Sequence, residues 1–247
     1  MQNLTKLILL YLVMTTSASA ALALDRTRVI FEQDSKLETI KIKNPADKPF
    51  LAQSWLSDIN GEEANNEFVV IPPVMRIESN DYAILRIKAL PLIENLPKDR
   101  ESVYYLHVRE VPPAKSSTNS DNKKNVGSIQ IAIESVIKFF YRPSALSSIK
   151  NVDRHIMNST KIIRNSNNTI DIENGSPFYV TLSELKVGDS KEAANFKPTM
   201  MAPFSRQSFK VGKNRTYTLS HINDYGATVT NTFDCKKSNV CLAQEKE

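Results

Sequence analysis

The sequence predicts an all-β protein made of two immunoglobulin-like β-sandwich domains. Three observations lead there. Short runs of apolar and β-branched residues recur along the chain, each closed by a cluster of Asn, Asp, Ser, Gly or Pro. No stretch of about a dozen residues keeps a clean helical period with caps, which disfavours an α/β enzyme fold. And 247 residues are more than one such sandwich of ~100 residues requires.

The first set of strands is expected at 29–31, 37–42, 52–56, 68–71, 83–87, 103–111 and 129–141. Turn signals separate them: Gln33-Asp34-Ser35, Asn44-Pro45-Ala46-Asp47, residues 58–63, Pro72-Pro73, Ser79-Asn80-Asp81 and Asn95-Leu96-Pro97. A second set follows Arg142-Pro143, at 161–164, 169–173, 178–187, 207–211, 217–222 and 228–233. The polar stretch 143–148 is the expected join, so the domains are read as 21–145 and 146–247. Two all-β domains joined without a long linker fix an angle and leave a cleft between them.

The first twenty residues stand outside this pattern. One basic residue, Lys6, precedes the apolar run Leu7-Ile8-Leu9-Leu10-Tyr11-Leu12-Val13-Met14, and Ala18-Ser19-Ala20 closes it. That order reads as a secretory signal peptide over 1–20, cleaved after Ala20. The run is too short for the roughly 20 apolar residues of a membrane span, and no later stretch is longer, so no membrane insertion is expected. Loss of Lys6 would bring the net charge of +5 down to +4. So mild a basic excess calls for no nucleic-acid partner.

Composition narrows the function further. Six glycines are too few for Gly-rich phosphate loops, and three scattered histidines with two cysteines argue against a Cys/His metal site, so neither metal nor cofactor is expected. There is no Gly-x-Ser-x-Gly elbow, no His-Glu-x-x-His and no Cys–His pairing of useful spacing, so the chain does not read as an enzyme. In an oxidising compartment Cys235 and Cys241 are expected to form a disulfide pinning a terminal hairpin. Residues 114–125 are polar throughout beyond their leading Ala, and read as a hairpin insertion or a functional loop. After them Ile129, Ile131 and Ile133 share one face of a strand, either as core or as side chains offered to a partner by β-augmentation. Periodicity alone does not separate those two readings.

The run Leu96-Pro97-Lys98-Asp99-Arg100-Glu101-Ser102-Val103-Tyr104-Tyr105-Leu106-His107-Val108-Arg109-Glu110-Val111-Pro112-Pro113 resembles the signature of the periplasmic pilus chaperones, the PapD-like family. His107 departs from it, standing where the family usually has Asn, and is expected to affect local packing only. Leu24-Asp25-Arg26-Thr27-Arg28, Pro72-Pro73-Val74-Met75-Arg76, Ile137-Lys138-Phe139-Phe140-Tyr141-Arg142-Pro143 and Ile222-Asn223-Asp224-Tyr225-Gly226 match in family order. The resemblance covers essentially the whole mature chain.

The resemblance implies two Ig-like domains in a boomerang with a cleft at the bend. It implies a periplasmic protein that binds pilus or fimbrial subunits lacking their last strand, lends them a strand, and delivers them to an outer-membrane usher. Residue by residue, Arg28 and Lys138 take the positions that anchor the subunit's C-terminal carboxylate, and Ile129, Ile131 and Ile133 those of the donated strand. Glu101, Arg142 and Asp224 match a buried charged trio between the domains. Strict alternation sets Lys138 on the face opposite the three isoleucines, so a twist or bulge is expected between them. The short-loop subtype, which assembles rod-like pili, is the expected one. A secreted two-domain Ig-like adhesin or carbohydrate-binding module is the alternative, and it has no reason to set Arg28 and Lys138 in one cleft.

Overall fold

The structure, a computed structural model, describes residues 22–111, 132–166, 168–189, 196–211, 214–235 and 238–244. The first sandwich contains β1 (Ala23–Leu24), β2 (Arg28–Glu32), β3 (Glu38–Lys43), β4 (Phe50–Ser57), β5 (Phe68–Ile71), β6 (Val74–Ile77), β7 (Tyr82–Ala89), β8 (Ser102–Val111) and β9 (Glu134–Arg142). They form a four-stranded sheet, β1-β3-β7-β5, and a five-stranded sheet, β2-β9-β8-β4-β6. Alternation drives the assembly: Ile40 and Ile42 of β3 and Ala52 of β4 turn inward while their neighbours face water. One core cluster unites both sheets, with the Phe68 ring 4.9–6.0 Å from those of Phe31, Tyr104, Phe139 and Tyr141.

The N-terminal strand changes sheets. β2 lies parallel to β9 from Arg28↔Lys138 to Glu32↔Arg142. Just before Arg28 the chain crosses over, and β1 pairs with β3 in the opposite sheet, helped by Asp25 N donating to Lys41 O at 3.1 Å. Among the described residues β9 therefore has β8 on one edge throughout, but a partner on its other edge only from Lys138 onward.

The second sandwich holds β10 (Thr160–Arg164), β11 (Ile170–Asn174), β12 (Val180–Val187), β13 (Thr199–Met201), β14 (Arg206–Phe209), β15 (Thr216–Ile222), β16 (Thr228–Asp234) and β17 (Val240–Ala243). The order β13-β12-β15-β16-β17-β10-β11-β14 is continuous, joined at Phe233↔Ala243 and Asp234↔Leu242. Its two halves share one core of Ile162, Ile172, Leu182, Leu185, Tyr217 and Phe233. The Cys235–Cys241 disulfide lies in that core and ties the end of β16 to β17.

Most strands fall where the sequence pattern predicts, with bounds shifted by one to three residues. β1, β6, β13 and β17 were not predicted: two to four residues are too few to display alternation, and β6 follows Pro72-Pro73 directly. The last predicted strand of the first domain, 129–141, begins among undescribed residues; its described part is β9, with Ala132 and Ile133 outside the strand. A helix was not predicted either, yet α1 (Val152–Ser159) precedes β10. Eight residues cannot show a sustained period, but the start is marked: Asn151 Oδ1 caps Arg154 N at 2.9 Å, and Asp153 follows in the first turn.

That helix bears on the cleft between the sandwiches. Asp153 Oδ1 lies 3.3 Å from His221 Nε2, and Asn223 Nδ2 donates to Asp153 Oδ2 at 3.4 Å. The two contacts bracket Ile222, whose carbonyl faces the first domain. His221 is 3% exposed, and burial pulls its pKa below the usual value despite Asp153. A base with a depressed folded pKa is neutral in the fold and takes up a proton more readily when unfolded, so its contribution is lost as pH falls below ~6.5. Urea unfolding of wild type and His221→Gln at pH 7.5 and 5.5 checks this. The wild type should lose more stability on acidification than the variant, by up to about 1.4 kcal/mol per pH unit.

Candidate functional site

The site is built on β9, whose two faces have different surroundings. Its odd residues Ile137, Phe139 and Tyr141 pack into the first core, and its even residues Lys138, Phe140 and Arg142 face the second domain. The ladder to β8 runs without interruption from Ser102↔Tyr141 to Arg109↔Glu134. The expected bulge between the isoleucine face and Lys138 is absent there, and none is needed. The core-facing side simply runs past the end of the sandwich, where Ile133 is 51% exposed. Ile129, Ile131 and the 114–125 loop lie outside the described residues.

Arg142 closes the domain boundary. Its Nε and Nη2 donate to Glu101 Oε1 at 2.9 and 2.8 Å, and its Nη1 and Nη2 donate to Asp224 at 3.0 and 3.2 Å. The guanidinium also lies 4.9 Å over the Phe178 ring. Glu101 spends its second oxygen on Tyr179 N (2.8 Å), and its own N–H donates to Pro177 O (2.9 Å). One side chain thus meets the first domain at Glu101 and the second at Asp224 and Phe178. Glu101 and Arg142 are only 3% and 6% exposed. Burial pushes the Glu101 carboxyl up to about 7 against the pull of Arg142. Burial also opposes the charge on Arg142, but Glu101 and Asp224 together outweigh it and raise its pKa.

Four residues upstream on the same face, Lys138 stands opposite Arg28 of β2. Arg28 Nη1 donates to Ile222 O at 3.1 Å, the carbonyl bracketed by the Asp153 contacts, and Lys138 Nζ donates to Thr181 Oγ1 at 2.8 Å. Arg28 Nε is buried without a hydrogen-bond partner among the described residues. Burial lowers the pKa of both, with Arg28 adding to the effect on Lys138 and Asp224 partly offsetting it at Arg28. Two half-desolvated cations side by side, with donors to spare, have the chemistry to hold an anionic oxygen pair such as a carboxylate. Arg28 lines a cleft of about 480 Å³ together with Asp25, Arg26, Thr27, Asp224 and Tyr225 among others.

Known families match this arrangement over both halves. The profile of pili and flagellar-assembly chaperones, PapD N-terminal domain, fits residues 21–147, and that of the PapD C-terminal domain fits residues 156–233. The chain belongs to the PapD-like family of pilus-assembly chaperones. It is 35% identical to chaperone protein PapD of Escherichia coli over 235 residues, covering 94% of this chain and 93% of that protein. It is 34% identical over 211 residues to chaperone protein MrkB of Klebsiella pneumoniae, covering 82% and 86%. Among solved structures, the E. coli chaperone DraB superposes with a TM-score of 0.70 at 28% identity, covering 92% of this chain and 97% of that one.

In this chaperone His107, the departure from the family signature, does more than fill space. Its ring stacks on Trp55 (centroids 4.8 Å, planes 7° apart), and the Arg109 guanidinium lies over the same Trp55 ring at 4.8 Å. The Glu134 carboxylate accepts, so His107 Nδ1 donates to Glu134 Oε1 (2.7 Å), and Nε2 is hydrogen-bonded with Ser57 Oγ (2.9 Å). The His107 hydrogen bond, with Arg109, holds the Glu134 carboxyl below its usual range. The cluster fastens the first residue of β9 to β8 and β4, immediately beside Ile133.

The charged trio gives a sharp expectation. Arg142→Ala leaves the Glu101 carboxyl buried and unpaired, at a cost of about 3–5 kcal/mol in urea unfolding. Glu101→Gln with Arg142→Met should recover more than half of that loss. A single variant within about 0.5 kcal/mol of wild type would contradict an energetically coupled trio.

Proposed function

We propose that this chaperone binds pilus or fimbrial subunits by lending them the strand that begins before β9, and anchors their C-terminal carboxylate on Arg28 and Lys138. The observation that carries the reading is the open edge of β9, which ends at those two cations. Glu110 N donates to Ile133 O at 2.8 Å, so the odd residues of this stretch bond to β8. The backbone groups of Glu134 and Val136 then point to the open side. A strand added there meets them, with its last residue beside Arg28 and Lys138. Its C-terminus at the Lys138 end makes it parallel to β9 and collinear with β2, the strand that takes over the same edge.

The chemistry matches the need of such a guest. An Ig-like subunit lacking its last strand exposes an apolar groove and an unpaired edge, both of which promote aggregation. The face of Ile129, Ile131 and Ile133 would fill the groove, and the backbone of the same stretch would satisfy the edge. The solved relatives include a Salmonella enterica chaperone, SafB, in complex with the SafA pilin, 23% identical to this chain with a TM-score of 0.71. Consistent with the family, we read residues 1–20 as a signal peptide, 21–145 and 146–247 as the two domains, the periplasm as the site of action, and an outer-membrane usher as the recipient of the complex. No helix among the described residues is long and apolar enough to cross a membrane.

Two variants test the reading. Arg28→Ala or Lys138→Ala should each weaken binding of a co-expressed pilus subunit by roughly 2–5 kcal/mol, with the chaperone still folded. Wild-type recovery of the complex from either variant would overturn the anchor. Separately, Ile133→Asp should leave the melting temperature of the free chaperone within about 2 °C, since the side chain is half in water, yet cut its ability to keep the subunit soluble. A large loss of stability would instead make Ile133 part of the chaperone's own core.

A further inference from the structure

Tyr225 is the most exposed large side chain with an apolar body among the described residues, at 94%. Isolated surface aromatics are ordinary, but the mounting of this one is not. It occupies the β15–β16 turn at the cleft wall, facing the same cavity as Arg26, Thr27 and Arg28. Asn223 locks that turn: its Oδ1 accepts from Tyr225 N (3.1 Å) and Ala227 N (2.9 Å). Its backbone N donates to Ala227 O (2.9 Å) while Gly226 N donates to Asn223 O (3.0 Å). Gly226 has φ +82°, and a Cβ there would come within 2.8 Å of Thr27 Oγ1, so the turn is pressed against the first domain where the N-terminal strand changes sheets. Asp224 grips Arg142 from the same turn, and Asn223 is tied back to Asp153 of α1. Through all this the ring itself has no stacking, cation or hydrogen-bond partner among the described residues.

An aromatic side chain whose backbone is fixed in advance, on the wall beside the proposed carboxylate site, has only its two side-chain torsions left to order when a ligand covers it. Tyrosine suits that work because its large flat surface is ordered by only two torsions. We infer that Tyr225 covers the last side chain of the bound guest, so that the cleft selects an aromatic or aliphatic C-terminal residue over a small polar one. The inference rests on the proposed carboxylate anchor, since it is the anchor that brings the guest's last residue into this cavity. The division of labour is then plain: Arg28 and Lys138 read the carboxylate, and Tyr225 reads the side chain next to it.

Synthetic ten-residue peptides of alternating Val and Thr, fluorescein-labelled at the N-terminus, separate the two roles. One series ends in Phe or Ser with a free carboxylate, and the other is the same pair amidated. Anisotropy titration of the full-length chaperone should give about tenfold tighter binding for Phe than for Ser. Tyr225→Ala should bring that ratio below about two, with circular dichroism and melting unchanged, and Tyr225→Phe should keep it. The preference for acid over amide should survive in Tyr225→Ala and be lost in Arg28→Ala. A wild type indifferent to the last side chain, including one that binds none of the peptides, overturns the inference, as does a Phe/Ser ratio that Tyr225→Ala leaves intact. An acid/amide preference missing from the wild type condemns the anchor instead, and the Phe/Ser ratio still judges Tyr225.

Discussion

The guanidinium of Arg142 is the point on which the geometry of this chaperone turns. It sits at the end of β9, which belongs to the first domain, and holds a carboxylate of each domain within hydrogen-bond distance. An ion pair so buried adds little net stability, because the cost of desolvating three charges offsets most of their attraction. What it supplies is direction. A planar fork that donates to Glu101 and Asp224 together admits one relative placement of their backbones, and the Glu101 contacts with Tyr179 N and Pro177 O narrow it further. Fixing that placement brings Ile222 O to Arg28 and Thr181 to Lys138, so the cations keep their heads in the cleft rather than in open water.

β9 contributes to every part of the proposed site, with Arg28 of β2 set opposite its Lys138, and the parts are sorted by position and face. Its last residues close the domain boundary, its middle carries the anchor, and its beginning leads back to the isoleucines. The even face turns to the second domain, and the odd face passes from the core to the open end of the sandwich. No special backbone is needed for this. It follows from an unbroken ladder to β8 and from the change of sheets at residues 25–27, which strips the second edge of β9 upstream of Lys138. An open edge is ordinarily a hazard that proteins cover; here it stops at two cations able to hold the end of a strand.

Much of this is legible in the sequence. Alternating apolar residues and turn clusters located most strands, because period-two patterns survive in runs of five to eight residues. Arg28, Lys138, Glu101, Arg142 and Asp224 emerged only through resemblance to a family, since a lone charge in a sequence says nothing about its distant partners. The structure brings Arg28 opposite Lys138 and the other three into one cluster. What stayed hidden was carried by backbone groups and by single buried polar residues. Asn44 and Asn174 show this. Each follows a Thr-Ile-x-Ile-x run, Thr39 to Lys43 and Thr169 to Glu173, and each is fully buried with its Nδ2 donating to carbonyls of neighbouring segments. The repeat was visible, but its meaning depends on which carbonyls come near. The Tyr179 amide, the Ile222 carbonyl and the Asp153 bracket were invisible for the same reason.

The most direct test of the account is residue-resolved amide hydrogen exchange along β9, free and with a pilus subunit bound. In the free chaperone the amides of Ser135 and Ile137, which face β8, should exchange slowly, and those of Glu134 and Val136 should exchange quickly. Binding should slow Glu134 and Val136 strongly while leaving Phe139 and Tyr141 as they were. A Val136 amide already protected in the free protein, or one that exchanges at the same rate in the complex, would contradict strand addition on this edge.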